Sequence, residues 1–471
     1  MYHGINLDDK LREECGVLGL YTDGNDNTAR LLYYGLYALQ HRGQESAGIA
    51  VNDGIKSYYH KAMGLVPEVF DDEVLEKLKG HMGIAHVRYA TSEESYVENA
   101  QPFVARYRGG TISVAHNGSL INGKKIRDSL EVEGAIFQTS IDSEVIANLI
   151  ARYSNEGMNK AIEKTMALIE GAYALTIMTE EKLLGVRDPL GLRPLCLGKM
   201  GNNYVLASES CAFDVMGATL VRDIEPGEIV TIDKDGITST FYTKGDKRAS
   251  CIFEYIYFSR PDSIIDNVSV YEARKNAGRI LAKQYPVEAD LVIAVPDSSV
   301  PVAIGYAEAS GIPYGEGLIK NKYIGRTFIQ PKQSMRELAV RLKLSPLSEN
   351  LEGKRVVMID DSIVRGTTSR RLVERLKSAG AKEVHVRVSS PPVVCSCYFG
   401  IDTPDKNQLI GAMKTIEEIR KTIGADSLGY ISTDGLVNST GLPKENFCLA
   451  CFNGEYPMAV DEGKENEVLE D

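Results

Sequence analysis

Residues 355–369, RVVMIDDSIVRGTTS, set an apolar run, two adjacent carboxylates, a small-residue loop and three hydroxyls in one unbroken line. Gly366-Thr367-Thr368-Ser369 at the opening of a helix offers backbone N–H donors, hydroxyls and the positive end of the helix to a phosphate. Arg365 adds a guanidinium beside them. Asp360 and Asp361 suit Mg²⁺ or the two hydroxyls of a ribose. A second apolar run, LVIAVP (291–296), delivers Asp297-Ser298-Ser299, which brings Ser298 into the same candidate metal set. An acidic pair alone ends many strands, and a lone threonine caps many helices. The uninterrupted succession is what marks a phosphate and metal site.

A different chemistry is written in the first half. Cys15 heads the run CGVLGLY (15–21), directly after the polar tail MYHGINLDDKLREE. With residues 1–14 removed, Cys15 gains a free α-amine of unperturbed pKa about 7.7–8.0. That amine suits it as the base for its own thiol. In HVRYAT (86–91), Arg88 stands at a strand end, where a guanidinium can clamp an α-carboxylate with two hydrogen bonds. In HNGS (116–119), following a strand expected at 111–116, the Asn117 amide and the Gly118 N–H suit an oxyanion. Asp142 precedes a helix expected at 143–153, either as its cap or as the partner of a substrate ammonium. Together these residues describe hydrolysis of a carboxamide.

Cys448-Leu-Ala-Cys451 forms a C-x-x-C pair, and Cys251 and Cys397 are two further candidate ligands upstream, with Cys395 two residues from the latter. On ligand count, four thiolates hold Zn²⁺ or an iron–sulfur cluster equally well. Cys196 and Cys211 read as core thiols.

The elements that must position these groups fall into two rhythms. Strands are expected at 15–21, 83–90, 111–116, 172–178 and 203–208, with helices at 30–40, 143–153 and 159–170, an α+β pattern. Beyond residue 251 the continuous apolar runs 291–296 and 355–360 alternate with helices at 271–285, 300–311, 368–380 and 407–423. That is the βαβ signature of a parallel sheet buried on both faces. TKGDKRAS (243–250) reads as the linker between them, and the acidic residues 459–471 as a frayed tail.

The chain has 471 residues, with 53 basic and 65 acidic side chains for a net charge of −12. That sign is wrong for a general nucleic-acid or anionic-membrane binder. No run of roughly 18 apolar residues spans a bilayer. The N-terminus has neither a basic region nor an apolar core, so it reads as a tail rather than a signal peptide. Eight cysteines are too few for a disulfide scaffold at this length. The expected compartment is the reducing cytoplasm.

Residues 355–369 resemble the diphosphate-ribose signature of the type I phosphoribosyltransferases. The resemblance implies 5-phosphoribosyl 1-diphosphate (PRPP) as substrate, with 366–369 on its 5-phosphate. It also implies a basic lid within 317–343, carrying Lys322 and Arg326. CGVLGLY, LQHRGQESAGI (39–49), HVRYAT, HNGSL and TSIDSE (139–144) resemble the class II glutamine amidotransferase domain of the N-terminal-nucleophile hydrolases. Both in this order, over nearly the whole chain, resemble the glutamine-dependent PRPP amidotransferases of the propeptide-bearing, iron–sulfur type.

That family resemblance implies an α+β (αββα) N-terminal-nucleophile hydrolase domain at 15–245 after a propeptide at 1–14. An α/β type I phosphoribosyltransferase domain at 251–458 and an acidic tail at 459–471 would follow. It implies the committed step of purine synthesis: glutamine bound by Arg88 and Asp142, ammonia released by Cys15, and internal passage to PRPP. It also implies Mg²⁺, a [4Fe–4S] cluster on Cys251, Cys397, Cys448 and Cys451, feedback inhibition by purine nucleotides, and a homotetramer or dimer. The competing expectation, a PRPP-sensing regulator, predicts binding of PRPP without release of diphosphate.

Overall fold

The computed structural model describes residues 15–24, 27–89, 96–243, 247–321 and 344–460. The expected propeptide and the lid residues Lys322 and Arg326 lie outside the described residues.

The first half is built on two antiparallel sheets. The seven-stranded sheet runs Thr219–Asp223, Cys196–Met200, Asn203–Ala207, Gly16–Tyr21, Met82–Arg88, Ser46–Asn52 and Ser57–Met63. The six-stranded sheet runs Gly236–Phe241, Glu228–Asp233, Leu183–Arg187, Gly171–Met178, Gly110–Leu120 and Phe103–Tyr107. Side chains alternate between the faces of each strand, as a period of two requires. Val17, Ile84, Ala115, Ala174 and Leu183 meet between the sheets. On the next positions, Leu18, Ile49 and Ala85 face Leu32 and Leu36 of the helix Thr28–Ala38. Val114, Tyr173 and Leu175 face Val145 and Ile146 of the helix Asp142–Tyr153. Helix, sheet, sheet and helix make the expected αββα stack, in which burying each large aliphatic side chain is worth about 1.5–3 kcal/mol.

In the second half four parallel strands lie in the order Leu291–Ala294, Arg355–Asp360, Glu383–Val388 and Ser427–Tyr430. Val292, Val357 and Ile359 pack towards the helices Val270–Gln284 and Val300–Ser310. The alternate residues Ile293, Val356 and Met358 pack towards Thr367–Ser378 and Ile416–Ile423. Both faces are covered, which is why these strands read as continuous apolar runs. No helix among the described residues is long and apolar enough to cross a membrane.

Two expectations are corrected. The stretch 407–423 is not one helix: Thr415 caps a new one, accepting from the N–H of Glu418 while the Glu418 carboxylate takes the N–H of Thr415. This capping box restarts the chain direction after the short turn Ile410–Met413. The strand expected to end at 116 continues through Gly110–Leu120, so Asn117 and Gly118 lie within it.

Candidate active sites

Strand pairing brings the first set of residues together. Gly16 is opposite Val87 in an antiparallel ladder, so Cys15 at the head of one strand meets Arg88 at the end of the other. The Cys15 Sγ lies 4.0 Å from the carbonyl of Tyr89. Burial pushes the thiol above its usual value, while the positive charges of Arg88 and Arg42 pull it down. The other sheet is tied to the same place by the His86 imidazole, whose Nε2 is 3.0 Å from the carbonyl of His116. Burial holds His86 at about 3 and His116 at about 4, so both rings are neutral and donate to carbonyls. Gln101 braces this end, its Oε1 accepting from the N–H of His116 at 2.8 Å and the hydroxyl of Ser143 at 2.8 Å.

Asn117 is 0% exposed, and among the described residues neither its side-chain nitrogen nor its oxygen has a hydrogen-bond partner. A buried amide left in that state costs about 1–3 kcal/mol, so its place needs a reason other than stability. Gly118 has φ +134°, and a Cβ there would stand 2.1 Å from the carbonyl oxygen of Ala172. Only glycine lets the strand continue here. Asp142 does not cap its helix. It reaches back to the end of the Asn117 strand, and its Oδ2 accepts from the N–H of Leu120 at 2.9 Å. Desolvation raises its carboxyl to about 6. A groove of about 520 Å³ runs along the 137–140 segment leading to Asp142, lined by Tyr96, Asn99, Arg127 and Phe137 among others, but not by Cys15, Arg88 or Asn117.

At the carboxyl ends of the parallel strands, Asp360 and Asp361 are buried, and the Ser298 hydroxyl donates to Asp361 Oδ2 at 2.6 Å across the two strand ends. Two carboxylates and a hydroxyl form a hard oxygen set of the kind that takes Mg²⁺ together with substrate phosphates and water. Gly366, at φ +81°, immediately precedes the helix Thr367–Ser378, so Thr367, Thr368 and Ser369 form its first turn. Arg365 is turned outward, its Nη2 donating to Gln408 Oε1 at 2.8 Å. The structure thus sets Gly366–Ser369 at a helix start six to nine positions beyond Asp360, with the Arg365 guanidinium on Gln408.

Cys251 and Cys448 are register partners in a short parallel ladder. With Cys397 and Cys451 they line one small pocket of about 20 Å³, walled also by Leu192, Arg193, Phe399 and Tyr456. Cys395 is not in that wall; its sulfur instead lies where a Cβ on Gly454 would come within 3.4 Å. The N–H of Phe399 donates to the Cys397 sulfur at 3.3 Å. Burial, helped by the neighbouring thiols and opposed by Arg193, pushes the thiols of Cys251 and Cys448 up to about 12. Among the described residues no three His, Cys, Asp or Glu side chains are grouped to hold a metal ion, so the four thiols share a pocket without closing on one centre. Cys196 and Cys211 are buried in the helix-facing core.

Sequence reasoning missed Arg42 and Glu254, which meet in the interior. LQHRGQESAGI carries Arg42, but no local signal joins it to a carboxylate 212 positions away.

Residues 86–215 match the model of a glutamine amidotransferase domain, and residues 264–391 that of a phosphoribosyl transferase domain. Amidophosphoribosyltransferase of Bacillus subtilis is 51% identical over 455 residues, covering 96% of this chain and 95% of that protein. The enzyme of the same name from Methanocaldococcus jannaschii is 51% identical over 464 residues, 95% of this chain and 98% of its own. A solved structure described as the allosteric regulatory enzyme of purine biosynthesis superposes with a TM-score of 0.91 at 50% identity, covering 95% of this chain and 97% of that one. The Bacillus subtilis PRPP amidotransferase complexed with ADP and GMP superposes with a TM-score of 0.90 at 50% identity, covering 95% and 98%.

Proposed function

The chain belongs to the amidophosphoribosyltransferases, glutamine amidotransferases of the first committed step of purine biosynthesis, and from that premise we propose how its two halves divide the work. The first half, 15–245, releases ammonia from glutamine. The second, 251–458, joins it to PRPP with loss of diphosphate.

Glutamine is held with its α-carboxylate on Arg88 and its α-ammonium on Asp142. The Cys15 thiol gives its proton to the α-amine exposed when residues 1–14 are cleaved, and sulfur attacks the side-chain carbonyl. In the unprocessed chain that nitrogen is an amide and cannot act as base. The Asn117 amide and the Gly118 N–H take the oxyanion. The ammonium of Cys15 returns its proton to the departing nitrogen, leaving a thioester that water cleaves to glutamate. Ammonia then travels inside the protein, because bulk water would protonate and dilute it.

At the second site Gly366, Thr367, Thr368 and Ser369 hold the 5-phosphate. Lys322 and Arg326 close over the diphosphate, and Arg365 flanks the loop. Ser298, Asp360 and Asp361 would hold Mg²⁺, which supplies charge neutralisation for the leaving diphosphate. Cys251, Cys397, Cys448 and Cys451 would hold a [4Fe–4S] cluster that ties the C-terminal segment to the start of the second half, a structural role. Purine nucleotides are the expected feedback inhibitors, a reading supported by the relative bound to ADP and GMP. The enzyme works in the cytoplasm as a homo-oligomer.

The observation that carries this division is the buried Asn117 amide, without a partner among the described residues, on the strand reached by Asp142 and joined through His86 to the strand that ends at Arg88. It is tested with Cys15→Ala, which should abolish glutamine-dependent synthesis and keep synthesis from free ammonia. Loss of both activities in a folded variant would refute it.

A further inference from the structure

A buried ionic bridge runs from the second half of the chain to the backbone of Cys15. Arg42 is 1% exposed and shares its guanidinium in three directions. Its Nε donates to the carbonyl of Cys15 at 3.2 Å. Nη1 donates to Glu209 Oε1 at 2.6 Å and to Glu254 Oε2 at 3.0 Å, and Nη2 donates to Glu254 Oε1 at 2.8 Å. Glu254 Oε2 also accepts the Ser259 hydroxyl at 2.5 Å. The second oxygen of Glu209 accepts the N–H of Arg260 at 2.9 Å and the hydroxyl of Ser263 at 2.6 Å. His41 Nε2 stands 2.7 Å from the first. All four oxygens of these two carboxylates are satisfied, and Ser259, Arg260 and Ser263 from the second half supply three of the contacts.

The two-pronged contact of Glu254 with Arg42 fixes the guanidinium in plane and direction, which a single-point ion pair would not do. Its Nε then fixes the direction of the Cys15 carbonyl. That matters more for Cys15 than for an ordinary residue. Once residues 1–14 are gone no preceding peptide restrains it, and holding the carbonyl fixes the peptide plane that carries the Cys15 Cα, the atom from which its amine and its Cβ–Sγ bond branch.

Resting on the assignment of Cys15 as the amidase nucleophile, we infer that Glu254 of the transferase half is a positioning residue for Cys15, acting through Arg42. The glutamine site is therefore completed by a carboxylate from the other half of the chain. Arg88 and Asp142, which hold the substrate, are outside the bridge, so glutamine binding should not depend on it.

The test uses the full, processed chain with Glu254→Gln, which keeps the shape but offers one oxygen. A second variant, Glu254→Asp, keeps the charge but withdraws it by one methylene. A misplacement of about 1 Å at a reacting centre costs roughly 100-fold in rate. Glutamine-dependent kcat should fall by about that factor in Glu254→Gln, with KM for glutamine and ammonia-dependent synthesis each within about threefold of wild type. Glu254→Asp should show the same split, and it decides the matter should the glutamine variant not fold. A glutamine-dependent kcat within threefold of wild type in a folded variant overturns the inference. So does a parallel fall of the ammonia-dependent rate, which marks the bridge as a general structural support. Residual glutamine use by Cys15→Ala would instead overturn the nucleophile assignment beneath it.

Discussion

Replacing Asn117 by leucine should separate stability from catalysis. The asparagine side chain is fully buried and both of its polar atoms lack a partner among the described residues. An apolar group of similar volume removes a penalty of about 1–3 kcal/mol, and the branched methyl offsets part of that by crowding. At roughly 2–4 °C per kcal/mol for domains of this size, Tm should hold or rise by a few degrees. The transition state loses one of two oxyanion donors, since the Gly118 N–H remains. Removing one such donor costs about 2.7–4 kcal/mol, or roughly 10²–10³ in kcat. Calorimetry on Asn117→Leu, with glutamine- and ammonia-dependent synthesis measured on the same preparation, reads both effects. The reasoning fails if glutamine-dependent kcat stays within tenfold of wild type. It fails equally if Tm drops by more than about 5 °C, because the amide would then be holding the fold together.

The Asp142 carboxyl, raised by burial to about 6, must be ionised to hold an ammonium, so KM for glutamine should climb about tenfold per pH unit below that value. The same group binds more protons folded than unfolded between about pH 4 and 6. Its contribution to stability is present at low pH and lost as pH rises through 6, and Asp142→Asn should flatten that dependence in thermal denaturation. Iron analysis of anaerobically purified protein should give about four iron per chain. Cys397→Ser should lose that iron and Cys395→Ser should keep it; stoichiometric zinc in place of iron would overturn the cluster assignment.

The strand, turn and helix start that carry the proposed phosphate and metal residues were legible because they lie within one short stretch of chain. A strand buried on both faces, a tight glycine turn and a helix start each have a local sequence signal, and Asp360 to Ser369 needs no distant partner to be recognised. Cys15 and Arg88 were found from their strand settings, which the antiparallel register then set side by side. The placement of Asn117 after a strand was wrong for a physical reason. Glycine reads locally as a break, yet at Gly118 it keeps the strand going past the Ala172 carbonyl. Short strands such as Leu183–Arg187, buried along their whole length, show no alternation to read. The helix break at Thr415 turned on a single capping box inside an otherwise periodic run.

What no local signal could supply is the contact between halves. The guanidinium of Arg193 donates from the first half to the carbonyl of Phe399 at 2.5 Å. Directly after the turn in which Phe399 donates to the Cys397 sulfur, Gly400 has φ +107°, and a Cβ there would lie 3.3 Å from the Cα of Gly118 and 3.4 Å from the nitrogen of Ser119. The loop that carries Cys397 is therefore packed against the back of the strand that carries Asn117. On the opposite flank, Glu254 reaches Cys15 through Arg42. The proposed oxyanion donors Asn117 and Gly118 and the proposed nucleophile Cys15 are thus each braced by a different segment of the second half, which gives a physical reason for the two activities to reside in one chain rather than in two separable proteins.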